Sequence, residues 1–417
     1  MNILFFSELF YPHGGGAELA TYLYAKLLSE AGFPIIVVTN RFNGEFEVSK
    51  SKNLVIYRLP LFEGTKSVKY SVLRRIDVLS SCFIRKLMKW SDVVYVPRFW
   101  YSVILLAKLY KRPVVVHLHD YIPVCPLSNL YNASKEETCS GRNIFCSTKC
   151  IYNFEKMQGK EFLGAAYSAT LNFVMGALWR KFVDLCDMMV CVSRTQRDVM
   201  LKADSSLKSR VSVIYNPLPN IQHSRIEGED FGYFGGPNFL KGFHVIYRAV
   251  SQINKKESKS IEVHATNFSK RSDRFLTALS KSGFRLYCRL DDKALEKVYG
   301  QIRCVVVPSI WPETFSYVTV ESLLRGRMVL ASRIGAIPEI TNGCAGALLF
   351  PAGNVEQLME RLLYIKNLNR ETVIDLGEKS RQVMKRKFNN QKTISEFIRI
   401  LYSVLDKPLV TTNINVS

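Results

Sequence analysis

The feature that most constrains this chain is an alternation. Short apolar, β-branched runs are separated by helical patterns along nearly its whole length. Strand-type runs fall at Asn2–Phe6, Ile35–Thr39, Leu54–Leu59, Val93–Val96, Val114–His117, Met188–Val192 and Val211–Ile214. Helical patterns such as Glu18–Ala31, Val103–Leu109 and Gln196–Leu201 fill the gaps. Strands that alternate with helices form βαβ units and a parallel sheet. The pattern breaks at Asn216-Pro217-Leu218-Pro219-Asn220 and then restarts, with strands at Asp230–Tyr233, Ile261–His264, Phe284–Cys288, Cys304–Val307, Met328–Ala331 and Ala347–Phe350. A chain of 417 residues exceeds what one core organises. The expectation is therefore an α/β protein of two Rossmann-like parallel-sheet domains, 1–220 and 221–390. Asn354 reads as a helix cap with Gln357 placed to reach back. Further helices follow at Val373–Arg386 and Thr393–Leu405, and the last, about 390–406, is a candidate to pack back onto the first domain.

In open parallel sheets, ligands bind beyond the carboxyl ends of the strands. The richest such place is Val305–Ile340. The run Val305-Val306-Val307 ends at Pro308-Ser309, Glu313 follows in a loop, and Glu321 lies in an apolar helix pattern. A carboxylate among apolar neighbours is costly unless paired, so Glu321 reads as functional. Two carboxylates eight positions apart, with a loop between them, suit two ends of one ligand, and buried carboxylates accept ribose hydroxyl hydrogens. The first strand leads into Glu8-Leu9-Phe10-Tyr11-Pro12-His13-Gly14-Gly15-Gly16-Ala17-Glu18. A glycine run before a helix lets an anionic ligand approach the backbone. Its spacing is not the nicotinamide fingerprint. Phe231–Gly242 repeats that layout at the head of the second domain, with Gly235 in the turn and Lys241 at the helix start. His119-Asp120 follows another strand end.

These residues together resemble the retaining glycosyltransferases of family 4, which have the GT-B fold of two Rossmann-like domains facing across a cleft. The resemblance covers nearly the whole chain. It rests on Gly15-Gly16-Ala17-Glu18, His119-Asp120, Ser193, Asn216-Pro217, Gly235 with Lys241-Gly242, Pro308-Ser309 with Glu313 and Glu321, Gly335–Glu339 and Leu349-Phe350-Pro351. It implies a nucleotide-sugar donor, UDP- or GDP-linked, held mainly by the second domain. Lys241 would sit on the diphosphate and Glu321 on the ribose. Glu313, with Thr314, Phe315 and Ser316, would hold the transferred sugar. Gly15 and Gly16 would border the phosphate and the acceptor from the first domain, and His119 would face the reacting centre. No cofactor is required for such transfer. Three positions depart from the family: Gly236 stands where an arginine is usual, Ser316 where a glycine is usual, and Ile261–Thr266 lacks a glycine pair and carries His264, with Asn267 next to it. A nucleotide-sugar epimerase-like enzyme of the same fold and a non-catalytic basic binding protein are the rival readings. An altered donor sugar formed without acceptor distinguishes the first, and Gly236 and Ser316 are the positions that favour the second.

The net charge is +21, shared almost evenly by the two halves, and it favours anionic partners. No aromatic-basic stacking motif points to nucleic acid. The stretch from Lys66 through Lys69, Arg74, Arg75, Arg85 and Lys86 to Lys89 carries one acid, Asp77, and interleaved apolar residues from Val68 to Trp90. That is the pattern of a helix on an anionic membrane surface, or of a solvated helix packed on a sheet. A lipid-linked acceptor such as a polyprenyl-phosphate-linked sugar fits the first pattern; the acceptor expected is a glycan or a lipid-linked saccharide. The longest lipophilic stretch, Phe162–Trp179, reads first as a core helix and second as a membrane-surface helix. No secretion signal is read at the N-terminus, so a cytoplasmic location with reduced thiols is expected, peripheral to the inner face of the membrane. Within an insertion at 121–152, Cys125, Cys139, Cys146 and Cys150 have the spacing C-x13-C-x6-C-x3-C. Four thiolates from one loop suit a structural zinc; two disulfides or four unlinked thiols are the alternatives.

Overall fold

A computed structural model of the chain describes residues 1–42, 44–61, 81–139, 144–221, 223–256, 261–266, 273–288 and 290–405. The basic stretch from Lys66 to Arg75, Asn267 and the side chain of Cys146 lie outside them. The chain forms two units: Met1–Pro219 with Asn389–Ser417, and Asn220–Phe388.

The first unit carries β1 (Ile3–Phe6), β2 (Ile35–Asn40), β3 (Val48–Ser51), β4 (Leu54–Leu59), β5 (Val93–Val96) and β6 (Val114–Leu118). A small hairpin, β7 (Tyr131–Asn132) with β8 (Glu137–Thr138), precedes β9 (Met188–Cys191) and β10 (Val211–Val213). The main sheet has the order β10-β9-β6-β5-β1-β2-β4-β3. β1, β5 and β6 are buried along their full length, which is why β1 and β5 read as unbroken apolar runs and β6 as one interrupted only by the buried His117. β3 reads Val-Ser-Lys-Ser and pairs antiparallel with β4 at the sheet edge. Its polar sequence protects that edge and also hides the strand from a hydrophobic scan.

The helix Asn390–Ser403 belongs to this unit, although the whole second unit separates it in sequence. It buries Ile394, Phe397, Ile398 and Leu401 in a core shared with Phe5, Tyr24 and Tyr95. The Phe397 ring lies 4.8 Å from that of Tyr24. Asn390 and the backbone of Leu218 exchange two hydrogen bonds of 2.8 Å, which closes the unit where the chain leaves it.

The second unit is a wholly parallel sheet of β11 (Asp230–Tyr233), β12 (Val263–Ala265), β13 (Phe284–Leu286), β14 (Ile302–Val307), β15 (Met328–Ser332) and β16 (Ala347–Phe350). Their order is β13-β12-β11-β14-β15-β16. The chain winds outward from β11 in one direction and then returns to β14 on its other side. The carboxyl ends of β11 and β14 therefore flank the switch point of a doubly wound sheet. In the first unit β1 and β5 hold the same position. Asn354 caps the helix Val355–Asn367 by accepting from the Gln357 N–H at 2.8 Å. Arg303, buried beneath the end of that helix, donates to the carbonyls of Ile365, Lys366 and Leu368 at 2.8–3.1 Å.

The helix Arg370–Lys387 packs so closely that a Cβ on Gly377 would run into the Gly326 carbonyl. Alanine in a helix interior is ordinarily favoured over glycine by about 1 kcal/mol. Here Gly377→Ala is expected to reverse that sign and destabilise by ~1–3 kcal/mol, the usual cost of overpacking. Urea denaturation read by circular dichroism measures it.

Candidate active site

The loop after β11 and the loop after β14 are tied together at the switch point of the second unit. Tyr233, on β11, donates its hydroxyl to the Gly236 carbonyl at 2.8 Å. Side-chain space at Gly235 is already filled by that Tyr233 ring. Gly242 has φ +74°, and any Cβ there would strike the Pro308 carbonyl. Only glycine allows this contact without strain. Ile310 N–H donates to the Leu240 carbonyl at 2.9 Å, closing the two loops on each other.

That closure brings Lys241 onto Glu313. Lys241 Nζ lies 2.8 Å from Oε1 and 3.0 Å from Oε2 of Glu313. Ser309 Oγ donates to Oε1 at 2.6 Å. Glu313 is buried, while the Lys241 side chain is 39% exposed. Lys241 Nζ also stands 5.3 Å from the Trp311 ring centre. The Glu313 backbone is fixed from the other side, since its carbonyl accepts from Ala336 N–H at 2.8 Å and Gly335 lies flat against it. Thr314, Phe315 and Ser316 follow, all buried.

Ser316, where a glycine is usual, is the cap of the helix Tyr317–Leu324: its hydroxyl accepts from Thr319 N–H and from the Thr319 hydroxyl, at 3.4 and 2.9 Å. Glu321, further along that helix, is 3.5 Å from Arg325. Burial raises the Glu321 carboxyl above its ordinary value, and Arg325 opposes the rise. His264, on β12, is held between Tyr287 Oη and Asp230 Oδ2 at 2.9 Å each. It is a satisfied core histidine.

The switch point of the first unit carries a second charged cluster. Glu18 accepts from Gly15 N–H at 2.7 Å and from Arg98 at 2.9 Å. The Gly15 donor is thus occupied by the carboxylate of its own helix, Gly16–Glu30. Arg98 Nε also lies 3.5 Å from Asp120. His119 stacks on His117 at 4.6 Å and is pushed down to about 3 by burial, so it is a neutral imidazole across the working pH range. Glu8, at the end of β1, was not singled out by the sequence patterns. It is 1% exposed, and neither carboxylate oxygen has a hydrogen-bond partner among the described residues. Burial pushes it up to about 8, against the pull of Arg98. The available signal was its place directly after an apolar strand, which Arg98 shares after β5.

The cysteines do not support a zinc site. Cys125, Cys139 and Cys150 form no disulfide with one another, and no group of three or more metal-type side chains converges among the described residues. Burial raises the Cys125 thiol above its ordinary value.

Two doubly wound units with glycine loops and charged residues at their strand ends define the GT-B class of transferase fold. The chain belongs to glycosyltransferase family 4: residues 14–219 match Glycosyltransferase Family 4, and residues 228–367 match Glycosyl transferases group 1. It is 28% identical to an uncharacterized glycosyltransferase of Methanocaldococcus jannaschii, over 93% of this chain and 94% of that one. It is 25% identical to an uncharacterized 42.6 kDa protein in the cps region of Klebsiella pneumoniae, over 82% and 87%. Among solved structures, sucrose-phosphate synthase from Thermosynechococcus elongatus superposes with a TM-score of 0.67 at 13% identity, covering 97% of this chain and 99% of that one. WaaG, a glycosyltransferase involved in lipopolysaccharide biosynthesis, gives 0.65 at 15%, covering 96% and 99%. Anabaena HepE, in complex with UDP-glucose, gives 0.64 at 14%, covering 97% and 100%. The chain is a nucleotide-sugar-dependent glycosyltransferase.

The raised Glu8 carboxyl sets a pH dependence. Its folded pKa stands above its ordinary 4.5, so its proton stabilises the fold fully below that value. The contribution is lost as pH rises through about 8. Melting temperature is expected to fall between pH 5 and 8.5 by at least ~2 °C more in the wild type than in Glu8→Gln, which keeps the neutral form. Parallel pH profiles would show that Glu8 is ionised in the fold.

Proposed function

We propose that the protein transfers a sugar, with retention of anomeric configuration, from a UDP- or GDP-linked donor to a glycan or a polyprenyl-phosphate-linked saccharide. The observation that carries this reading is the Lys241–Glu313–Ser309 arrangement at the switch point of the second unit. A diphosphate arriving there offers Lys241 more negative charge than Glu313 does. Lys241 then turns to the leaving diphosphate, whose developing charge it stabilises together with loop N–H groups. Glu313, released but still held by Ser309, accepts the hydroxyls of the transferred sugar with the Thr314–Ser316 backbone beside it. Glu321 accepts the ribose hydroxyls. Gly15, Gly16 and the neutral imidazole of His119 serve the acceptor side. No step needs a bound metal, because lysine and backbone dipoles supply the positive field.

HepE's complex with UDP-glucose supports a uridine donor. The cps-region relative and WaaG's involvement in lipopolysaccharide biosynthesis support a cell-surface polysaccharide or glycolipid as product. A cytoplasmic protein at the inner face of the membrane fits such an acceptor.

A thermal-shift screen of nucleotide sugars tests the donor. The true donor at a hundred times its dissociation constant should add about 2.7 kcal/mol of stability. Glu313→Gln is expected to fold and to lose transfer by about 10²–10³-fold, the loss typical of one removed electrostatic contact in an active site. Full transfer by a folded Glu313→Gln removes Glu313 from the mechanism.

A further inference from the structure

The helix Phe162–Val183 is built inside out over its first half. Its inward face carries small and polar groups: Ala165, Ser168, Ala169, Asn172 and Gly176 are buried. Asn172 donates to Glu155 at 3.1 Å, and Lys160 reaches Ser168 at 2.6 Å. Gly176 is pressed against Pro126, where a Cβ would come within 2.8 Å of the proline ring. The large apolar groups point the other way. Phe162 is 66% exposed, Leu163 79%, Tyr167 71% and Val174 49%. Leu163, Tyr167, Thr170, Val174 and Ala177 are spaced four, three, four and three apart, so they form one straight stripe. No charged residue lies between Phe162 and Trp179. A water-facing helix surface ordinarily carries the polar residues, so this stripe has the wrong chemistry for water.

The surroundings indicate the occupant. The helix packs antiparallel on Ile144–Met157, forming a hairpin whose tip, residues 158–161, adjoins the most exposed apolar groups. Met157 is 40% exposed at the same tip. Lys156 and Lys160 are exposed around it beside one exposed acid, Glu161; Lys149 is exposed further back on Ile144–Met157, and Lys181 closes the stripe at the other end. Glu155, the hairpin's buried acid, is neutralised by Lys160 at 2.5 Å. An apolar stripe bordered by lysines, on a chain of net charge +21, matches an acidic bilayer surface. The basic stretch ending at Lys89 offers no rival surface within its described part: Ile84, Leu87 and Met88 of the helix Cys82–Trp90 point into the core.

We infer that the hairpin tip and the Leu163–Ala177 stripe dock on the headgroup region of an anionic membrane. Leu163, Tyr167 and Phe162 enter the acyl boundary and the lysines contact the headgroups. The inference rests on the proposed membrane-side acceptor and names the surface that brings the enzyme to it. Full-length protein is floated with vesicles of phosphatidylcholine alone and of phosphatidylcholine with phosphatidylglycerol. The wild type is expected to float with the acidic vesicles only. Leu163→Asp with Tyr167→Asp should lower the bound fraction at least about tenfold, and Val174→Asp should lower it less. The donor-induced thermal shift, read on the same variants, should be unchanged. If the wild type floats and the stripe variants float equally well, the surface is wrong while membrane association stands. If the wild type does not float but sediments as a dimer that Leu163→Asp dissociates, the stripe pairs with a second copy and the inference fails. Loss of the donor shift in the wild type would instead count against the glycosyltransferase reading.

Discussion

The ion pair between Lys241 and Glu313 is the contact that ties together the loops at the switch point of the second unit. It joins the loops that follow two adjacent parallel strands, and it does so over a carboxylate that is almost wholly buried. A buried carboxylate without its cation is costly, and removing one partner of a buried pair typically destabilises by about 3–5 kcal/mol. Lys241 is 39% exposed, so water screens part of that cost and the smaller end applies. The same partial exposure is what a binding site needs. A cation locked away on both sides could not exchange its partner for a phosphate.

The first unit repeats the logic with the roles moved. There Arg98 joins the strand-end regions by holding Glu18 and Asp120, and Glu18 in turn holds the glycine turn through Gly15 N–H. The arrangement fixes the backbone of the turn instead of leaving its donors open. Glu8 lies buried beside this cluster: burial, which outweighs the pull of Arg98 and is aided by the nearby Glu18 and Asp120, pushes it up to about 8, so it keeps its proton at neutral pH.

Much of this was legible in the sequence because parallel strands buried on both faces announce themselves as apolar runs. The residues at their ends were legible because polar groups there have few structural reasons to exist. Lys241 and Glu313 were each visible that way. Their direct pairing was not, since they lie 72 positions apart and meet only because β11 and β14 are neighbours. Ser316 read as a departure, and the structure makes it a helix cap, a role that depends on where the helix begins. Glu8 was invisible as a perturbed group because desolvation depends on the packing of the whole unit. β3 was missed because an edge strand is polar by need. The helix Phe162–Val183 was recognisable as apolar, but its core-facing side was not, because apolar residues occur all round it and only packing selects the side that holds Ser168 and Asn172.

The central claim is that Lys241 binds the donor's diphosphate, and calorimetric titration with UDP and GDP tests it most directly. Wild type is compared with Lys241→Ala at a temperature where both are folded. One of the two nucleotides is expected to bind the wild type and to bind Lys241→Ala at least about tenfold more weakly, the loss of one charge-assisted contact. Equal affinity for wild type and variant would contradict the account, and would mean that the pair with Glu313 serves the fold alone.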